Sequence, residues 1–252
     1  MTENAGQRPS LLLCFAHPDD ESIFAAGTAC AAAAAGRPVV LVTGTGGEAG
    51  KTGEPAVCSR DDLGNVRARE LDVAAAIMGV SQLRLLGYRD RELAAAPPDE
   101  VRRALVETIR RWRPAVAVTF DPHGMNQHAD HIAISRFVSD SAAAAADPRW
   151  LPDVGEPHTI SRLLWVPRRP WEILRSGGPA VRPGVDFVVD IRRWSDRKVE
   201  ALRAHRSQHL STERIFFSHA DQALTLGFEL FRQAWGPALR TRPSSDIFEG
   251  TE

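Results

Sequence analysis

The sequence predicts an α/β fold: a doubly wound, mostly parallel sheet with helices on both faces and a less regular C-terminal portion. Three observations lead there. Short apolar runs of strand length recur at 11–15, 38–43, 83–86 and 115–120. Segments with the apolar spacing of helices lie between them, and such alternation is the pattern of a parallel sheet with crossover helices. The last run, Ala115-Val116-Ala117-Val118-Thr119-Phe120, carries no charge, as a strand covered on both faces requires.

The first strand, Leu11 to Phe15, is bounded by Pro9 and Pro18. It leaves through Ala16-His17-Pro18-Asp19-Asp20-Glu21, and the Ala-rich stretch from Ser22 to Ala35 continues as a helix. The β-branched run to Thr43 ends in the cluster Gly44-Thr45-Gly46-Gly47-Glu48-Ala49-Gly50. Its spacing is a poor match to a dinucleotide fingerprint, and residues 51–62 read as a loop over an active-site edge. A helix follows from Leu63, with Val66, Leu71, Val73, Ala74 and Ile77 apolar and Gly79 as its stop. Leu83 to Leu86 is the third strand, leading to Gly87-Tyr88-Arg89-Asp90. Pro97-Pro98-Asp99-Glu100 opens a helix with Val101, Leu105, Val106 and Ile109 on one face, ending before Pro114.

After the fourth strand come Asp121 to His131 and a helix containing Ile132, Ile134, Phe137 and Val138. Leu163 to Val166 and Phe187 to Asp190 are further strands, separated by the Pro- and Gly-rich segment 167–184. A basic helix, Trp194 to His205, then runs into Arg206-Ser207-Gln208-His209. There is no internal repeat and no composition break suited to a linker, so residues 1–252 are expected to form a single Rossmann-like domain, with 1–9 as a flexible tail.

Composition narrows the function classes. A net charge of −1 gives no electrostatic case for nucleic acid or an anionic membrane. The polar N-terminus lacks a secretory signal, and no apolar run approaches the ~20 residues of a membrane span. A cytoplasmic protein is expected. Cys14, Cys30 and Cys58 are not spaced as a zinc knuckle, and Cys14 and Cys30 fit as small core residues.

His17, Asp19, Asp20 and Glu21 crowd the turn after the first strand, and His128, Asp130 and His131 follow the fourth. Both clusters therefore emerge at the carboxyl edge of the sheet, where open α/β sheets bind ligands. Like charges gathered there repel one another and resist burial, and a divalent cation relieves both costs. Taken alone, the acidic turn also suits a solvated helix N-terminus, and the histidine pair a surface helix start. Together, two histidines and an aspartate make a three-ligand set with an open position, the pattern of a catalytic zinc. Asp19 and Asp20 are adjacent, so one can ligate while the other serves as base. The remaining histidine, His128 or His131, can stabilise an oxyanion or protonate a leaving amine. The chemistry is metal-assisted hydrolysis of an amide or ester.

These residues resemble the PIG-L/LmbE-like zinc de-N-acetylases, which remove acetyl groups from N-acetylglucosamine-containing molecules in mycothiol, bacillithiol and glycosylphosphatidylinositol synthesis. The paired motifs Ala16 to Glu21 and His128-Ala129-Asp130-His131 carry the resemblance. The loop Thr43 to Gly50, Arg67-Ala68-Arg69-Glu70-Leu71, Asp90 and His205-Arg206-Ser207-Gln208 extend it over most of residues 10–210. It implies that His17, Asp20 and His131 ligate one Zn2+ per chain, with Fe2+ able to take the same set. It implies Asp19 as general base, His128 as oxyanion stabiliser and Asp130 as the group that orients His128. Arg67 and Asp90 would hold the polar end of the sugar; a solvated helix-face arginine and a turn residue are the competing readings. The implied substrate is a small-molecule aminosugar conjugate, and a homo-oligomer is left open.

Two departures stand out. Ala129 replaces the proline common before the aspartate, at a position that touches no expected ligand. Asn126 stands where the mycothiol branch carries a tyrosine, so it joins the substrate-binding candidates and weakens an assignment to mycothiol synthesis in particular. The rivals to a de-N-acetylase are an amidase cleaving a larger acyl group and a non-catalytic metal- or nucleotide-binding module. A two-metal phosphoesterase would have to recruit Glu21 and Asp130, which the spacing does not demand.

Overall fold

The computed structural model describes residues 10–177 and 183–251. The expected tail at 1–9 and part of the Pro- and Gly-rich segment, 178–182, lie outside the described residues. The elements run β1 (Ser10–Phe15), α1 (Asp20–Phe24), α2 (Ala26–Ala34), β2 (Val39–Thr45), α3 (Leu63–Met78), β3 (Gln82–Tyr88), α4 (Pro98–Trp112), β4 (Pro114–Phe120), α5 (Gly124–Gln127) and α6 (Ala129–Ala146). Then follow β5 (Arg162–Val166), α7 (Pro170–Arg175), β6 (Phe187–Asp190), α8 (Ser195–Ala204), α9 (His209–Thr212), α10 (Gln222–Thr225) and β7 (Phe228–Trp235).

Among the described residues, seven strands form the sheet in the order β3-β2-β1-β4-β5-β7-β6. β1 pairs in parallel with both β2 and β4, placing Leu13 beside Leu41 on one side and Val118 on the other. The chain therefore winds outward through β2 and β3, then returns to start β4 against β1. That reversal opens a crevice between the carboxyl ends of β1 and β4, where ligands bind in such sheets. Every residue of β1, β2 and β4 is buried, because helices cover both faces. α2, α3 and α8 pack together in one layer, and α4 packs on α6 in the other.

Three details depart from the sequence-based expectation. The helix expected over 22–35 is two pieces, α1 and α2, divided at Ala25, where φ is −144°. A short helix, α7, lies within the segment expected to be irregular. The strand β7 was not expected at all, and it runs antiparallel between β5 and β6. Its alternation is masked by Glu229, a carboxylate buried at the second position of the strand. Lys198 lies 2.8 Å from that carboxylate, and the backbone N–H groups of Gly27 and Thr28 at the start of α2 donate to it. A buried charge is tolerated only with such partners, and none of them is near it in sequence.

Candidate active site

The crevice holds a cavity of about 600 Å³ lined by His17, Asp19, Asp20, His128 and His131. His17 and His131 are nearly buried, at 8% and 5% exposure. Nδ1 of His17 lies 3.2 Å from Nε2 of His131 and 3.5 Å from Oδ2 of Asp20. Nε2 of His131 lies 3.6 Å from Oδ1 of Asp20. Ligand atoms held tetrahedrally at ordinary zinc bond lengths are roughly 3.4 Å apart, so the two rings, with the Asp20 carboxylate turning one oxygen toward each, are spaced as candidate ligands of one small divalent cation.

The outer nitrogens of both rings support that fit. Nε2 of His17 faces Asp130 Oδ2 and Asp90 Oδ1, each at 3.2 Å, and must carry a hydrogen to do so. Nδ1 of His131 is 3.2 Å from the carbonyl of Gly124 and likewise donates. The facing atoms, Nδ1 of one ring and Nε2 of the other, are then lone pairs, aimed at each other beside a carboxylate. Only positive charge reconciles them, a proton or a metal ion. Burial acts to lower the His17 pKa, but Asp130, Asp20 and Asp90 outweigh it and hold it well above 6.5. Burial pushes His131 down to about 4. Phe120, the last residue of β4, stacks on the His131 ring at 3.9 Å between centroids and fixes its plane.

Two groupings, His17–His128–His131 and His17–Asp90–Asp130, bring one ligand atom from each residue within 4.8 Å of the others among the described residues. The second is already committed. Asp130 accepts the N–H groups of Arg91 and Leu93, and Asp90 accepts that of Ala49. In the first, His128 spends Nδ1 as the cap of α6, accepting the Asp130 N–H at 3.2 Å. Its Nε2 then carries the hydrogen and donates rather than ligates.

Asp19 occupies the N-cap of α1 with φ 120° and ψ −27°, a conformation unfavourable for a residue with a side chain. Burial lifts its carboxyl to about 6, against the lowering influence of Arg67. Arg67 is not a solvated arginine. It is 3% exposed, lies 3.3 Å from Asp19 Oδ2, and donates to the carbonyls of Gly47 and Pro18. The glycine loop closes around this guanidinium: a Cβ on either Gly47 or Gly50 would collide with Arg67 Nη1. Those glycines thus cradle a side chain of the protein.

Asp130, expected to orient His128, divides its contacts: its backbone N–H meets the His128 ring, while its carboxylate bonds His17. Asp90 lines the cavity and shares the grip on His17. Asn126 also lines it, and its Oδ1 accepts the His128 N–H at 3.0 Å. Tyr88 ends β3 and is not among the lining residues.

The late His-x-Ser-Gln segment reaches the same place. His205 Nε2 is 2.7 Å from Glu21 Oε1, and both residues are fully buried. Burial opposes the charge on each, yet their mutual attraction raises the His205 pKa and lowers that of Glu21. Ser207 donates its N–H and hydroxyl to Glu70 of α3 at 2.8 and 2.6 Å. Gln208 donates to the Lys51 carbonyl and lines the cavity.

Against this geometry, the model of the GlcNAc-PI de-N-acetylase (PIG-L) family matches residues 12–142. A relative from Streptomyces griseus, 1D-myo-inositol 2-acetamido-2-deoxy-alpha-D-glucopyranoside deacetylase, is 36% identical over 95% of this chain and 88% of its own. The chain belongs to the GlcNAc-PI de-N-acetylase family. A protein of the same description from a Nocardioides species is 35% identical over 90% of this chain and 92% of its own. The conserved protein TT1542 of Thermus thermophilus superposes with a TM-score of 0.70 at 27% identity, covering 93% of this chain and 98% of the other. As a family member the chain is an amide-hydrolysing enzyme, a de-N-acetylase.

Family membership leaves the cavity rim undescribed. Arg169, Trp171, Arg175, Arg214 and Ile215 line it from the C-terminal half, where sequence reasoning named no site residue. No motif marks them. Trp171 takes its place by stacking on Phe24 of α1, with centroids 6.1 Å apart. Among the described residues, no helix is long and apolar enough to cross a membrane.

Proposed function

We propose that this chain removes the acetyl group from the nitrogen of an N-acetylglucosamine-type conjugate, with a polyol such as inositol as the aglycone. The convergence of His17 Nδ1, His131 Nε2 and Asp20 beside Asp19 carries the reading. The inositol part rests on the names of the Streptomyces and Nocardioides relatives. We read residues 10–251 as one domain, because a single buried cluster runs from Leu11 to Phe248.

His17, Asp20 and His131 would hold a divalent ion, zinc in our reading, whose Lewis acidity polarises the acetamide carbonyl and acidifies the attacking water. Ionised Asp19 takes the proton of that water, and the Arg67 guanidinium keeps its carboxylate aimed. Negative charge gathering on the amide oxygen is met by the Nε2–H of His128, whose ring is fixed by the Asp130 N–H. The C–N bond then breaks, and the proton held by Asp19 leaves with the amine, so that acetate and a free aminosugar are the products. Asp90 and Asn126 line the cavity beside these groups and would meet substrate hydroxyls.

The test measures amine and acetate release across glucosamine conjugates that differ in acyl length and aglycone. N-acetylglucosaminyl-inositol is expected to turn over best. Preference for a long acyl chain would replace this reading with that of a larger-acyl amidase. No amine release from any acylated glucosamine conjugate would refute it.

A further inference from the structure

The buried Glu21–His205 pair lies outside the reaction described above, although it joins the first motif to the last. Glu21 uses its two oxygens differently. Oε1 takes His205 Nε2 at 2.7 Å and the Ser22 hydroxyl at 2.7 Å. Oε2 accepts the backbone N–H of Asp19 at 3.1 Å. Asp19 is the residue forced to φ 120°, and strained backbone of this kind persists only where its surroundings over-determine it. An interior carboxylate would not keep one fixed rotamer in apolar surroundings without a partner.

His205 in turn is held from behind. It ends α8, and the turn that follows is tied to α3 by two hydrogen bonds from Ser207 to Glu70. Glu70 stands three positions after Arg67 on the same helix, and Arg67 grips the Asp19 carboxylate and the Pro18 carbonyl. One helix therefore anchors Asp19 twice, directly by its side chain and indirectly by its backbone.

We infer that Glu21 and His205 are positioning residues, a buried pair that pins the Asp19 amide and so holds the Asp19 carboxylate in line with the attacking water. The kinetic half of this inference rests on Asp19 acting as the base. The geometric half, that His205 fixes the Asp19 backbone, does not. Neither residue lines the cavity. Their effect is expected in turnover, because a displacement of about 1 Å in a reacting group can cost on the order of a hundredfold.

The test compares His205→Asn, which withdraws the donor from Glu21, with His205→Gln, which can return an N–H to the Nε2 position. In His205→Asn, exchange of the Asp19 amide hydrogen, followed by NMR, is expected to quicken at least tenfold. Turnover should fall roughly ten- to hundredfold, with KM and bound metal unchanged, and His205→Gln should restore both readouts to within a few-fold. In an Asp19→Asn background, His205→Asn should cost nothing further. Unchanged exchange at Asp19, or an equal loss of turnover in that background, overturns the inference. If Asp19→Asn itself turns over normally, the base assignment fails, and the exchange measurement still decides the positioning. Should His205→Asn not fold, Ser207→Ala removes the hydroxyl bond to Glu70, keeps the backbone N–H bond, and so loosens the turn while leaving the buried pair in place. It should then move exchange and turnover in the same direction by less, and no movement in either overturns the inference.

Discussion

Nδ1 of His17 lies 3.2 Å from Nε2 of His131 across 114 positions of sequence, and each ring spends its other nitrogen on an acceptor. Two lone pairs facing one another beside the Asp20 carboxylate need a cation between them. His131→Ala should therefore lose bound divalent metal while its helical spectrum is retained. Elemental analysis checks this, and full occupancy in the variant would remove His131 from the ligand set. Chelation of the wild type should abolish amine release, and added zinc should restore it.

Asp130 would act on the proposed metal site from one bond away. Its carboxylate meets His17 Nε2 and so would leave Nδ1 free to ligate. Asp130→Asn is expected to weaken metal affinity by about 10–100-fold. Competition with a metal-binding dye measures it. Unaltered affinity together with lost turnover would instead return Asp130 to the role of orienting His128.

Asp19 is half-buried, lines the cavity, is gripped by Arg67 and lies outside the proposed ligand set. Asp19→Asn keeps the volume and removes the proposed base, so turnover should fall by about 10²–10⁴ with metal content intact. Steady-state kinetics alongside elemental analysis separates this from loss of the metal.

The Glu21–His205 pair should give stability a recognisable pH window. His205 has its pKa raised above 6.5, so its contribution is complete below pH 6.5 and fades as pH rises through the raised value. Glu21 has its pKa lowered below 4.5, so its contribution is complete above pH 4.5 and fades as pH falls through the lowered value. The stability gap between the wild type and His205→Gln should therefore be widest between those two values, on the order of 2 kcal/mol. Urea unfolding of both proteins across pH checks it, and a gap independent of pH would show that the pair is not ionised.

Much of this protein is legible in one dimension because its signals are local. Strand and helix periods in β1 to β4 and α3, α4 and α6 follow from neighbours along the chain, and the turn after β1 and the one before α6 declare their chemistry by residue type alone. From those, a doubly wound sheet could be placed, with two loops of candidate metal ligands expected at its carboxyl edge. What the sequence could not show depends on partners far apart. β7 hides behind Glu229, whose burial makes sense only with Lys198 and the start of α2 beside it. Nothing in the spacing of the glycine loop reveals that Arg67, on the next helix, fills it. Proximity in sequence pairs Asp130 with His128, whereas its carboxylate reaches His17 across 113 positions. Residue types and spacing determined which chemistry the chain can perform. Only packing decided which atom of each side chain is free to perform it, because the partners that buried donors and acceptors find are set in three dimensions.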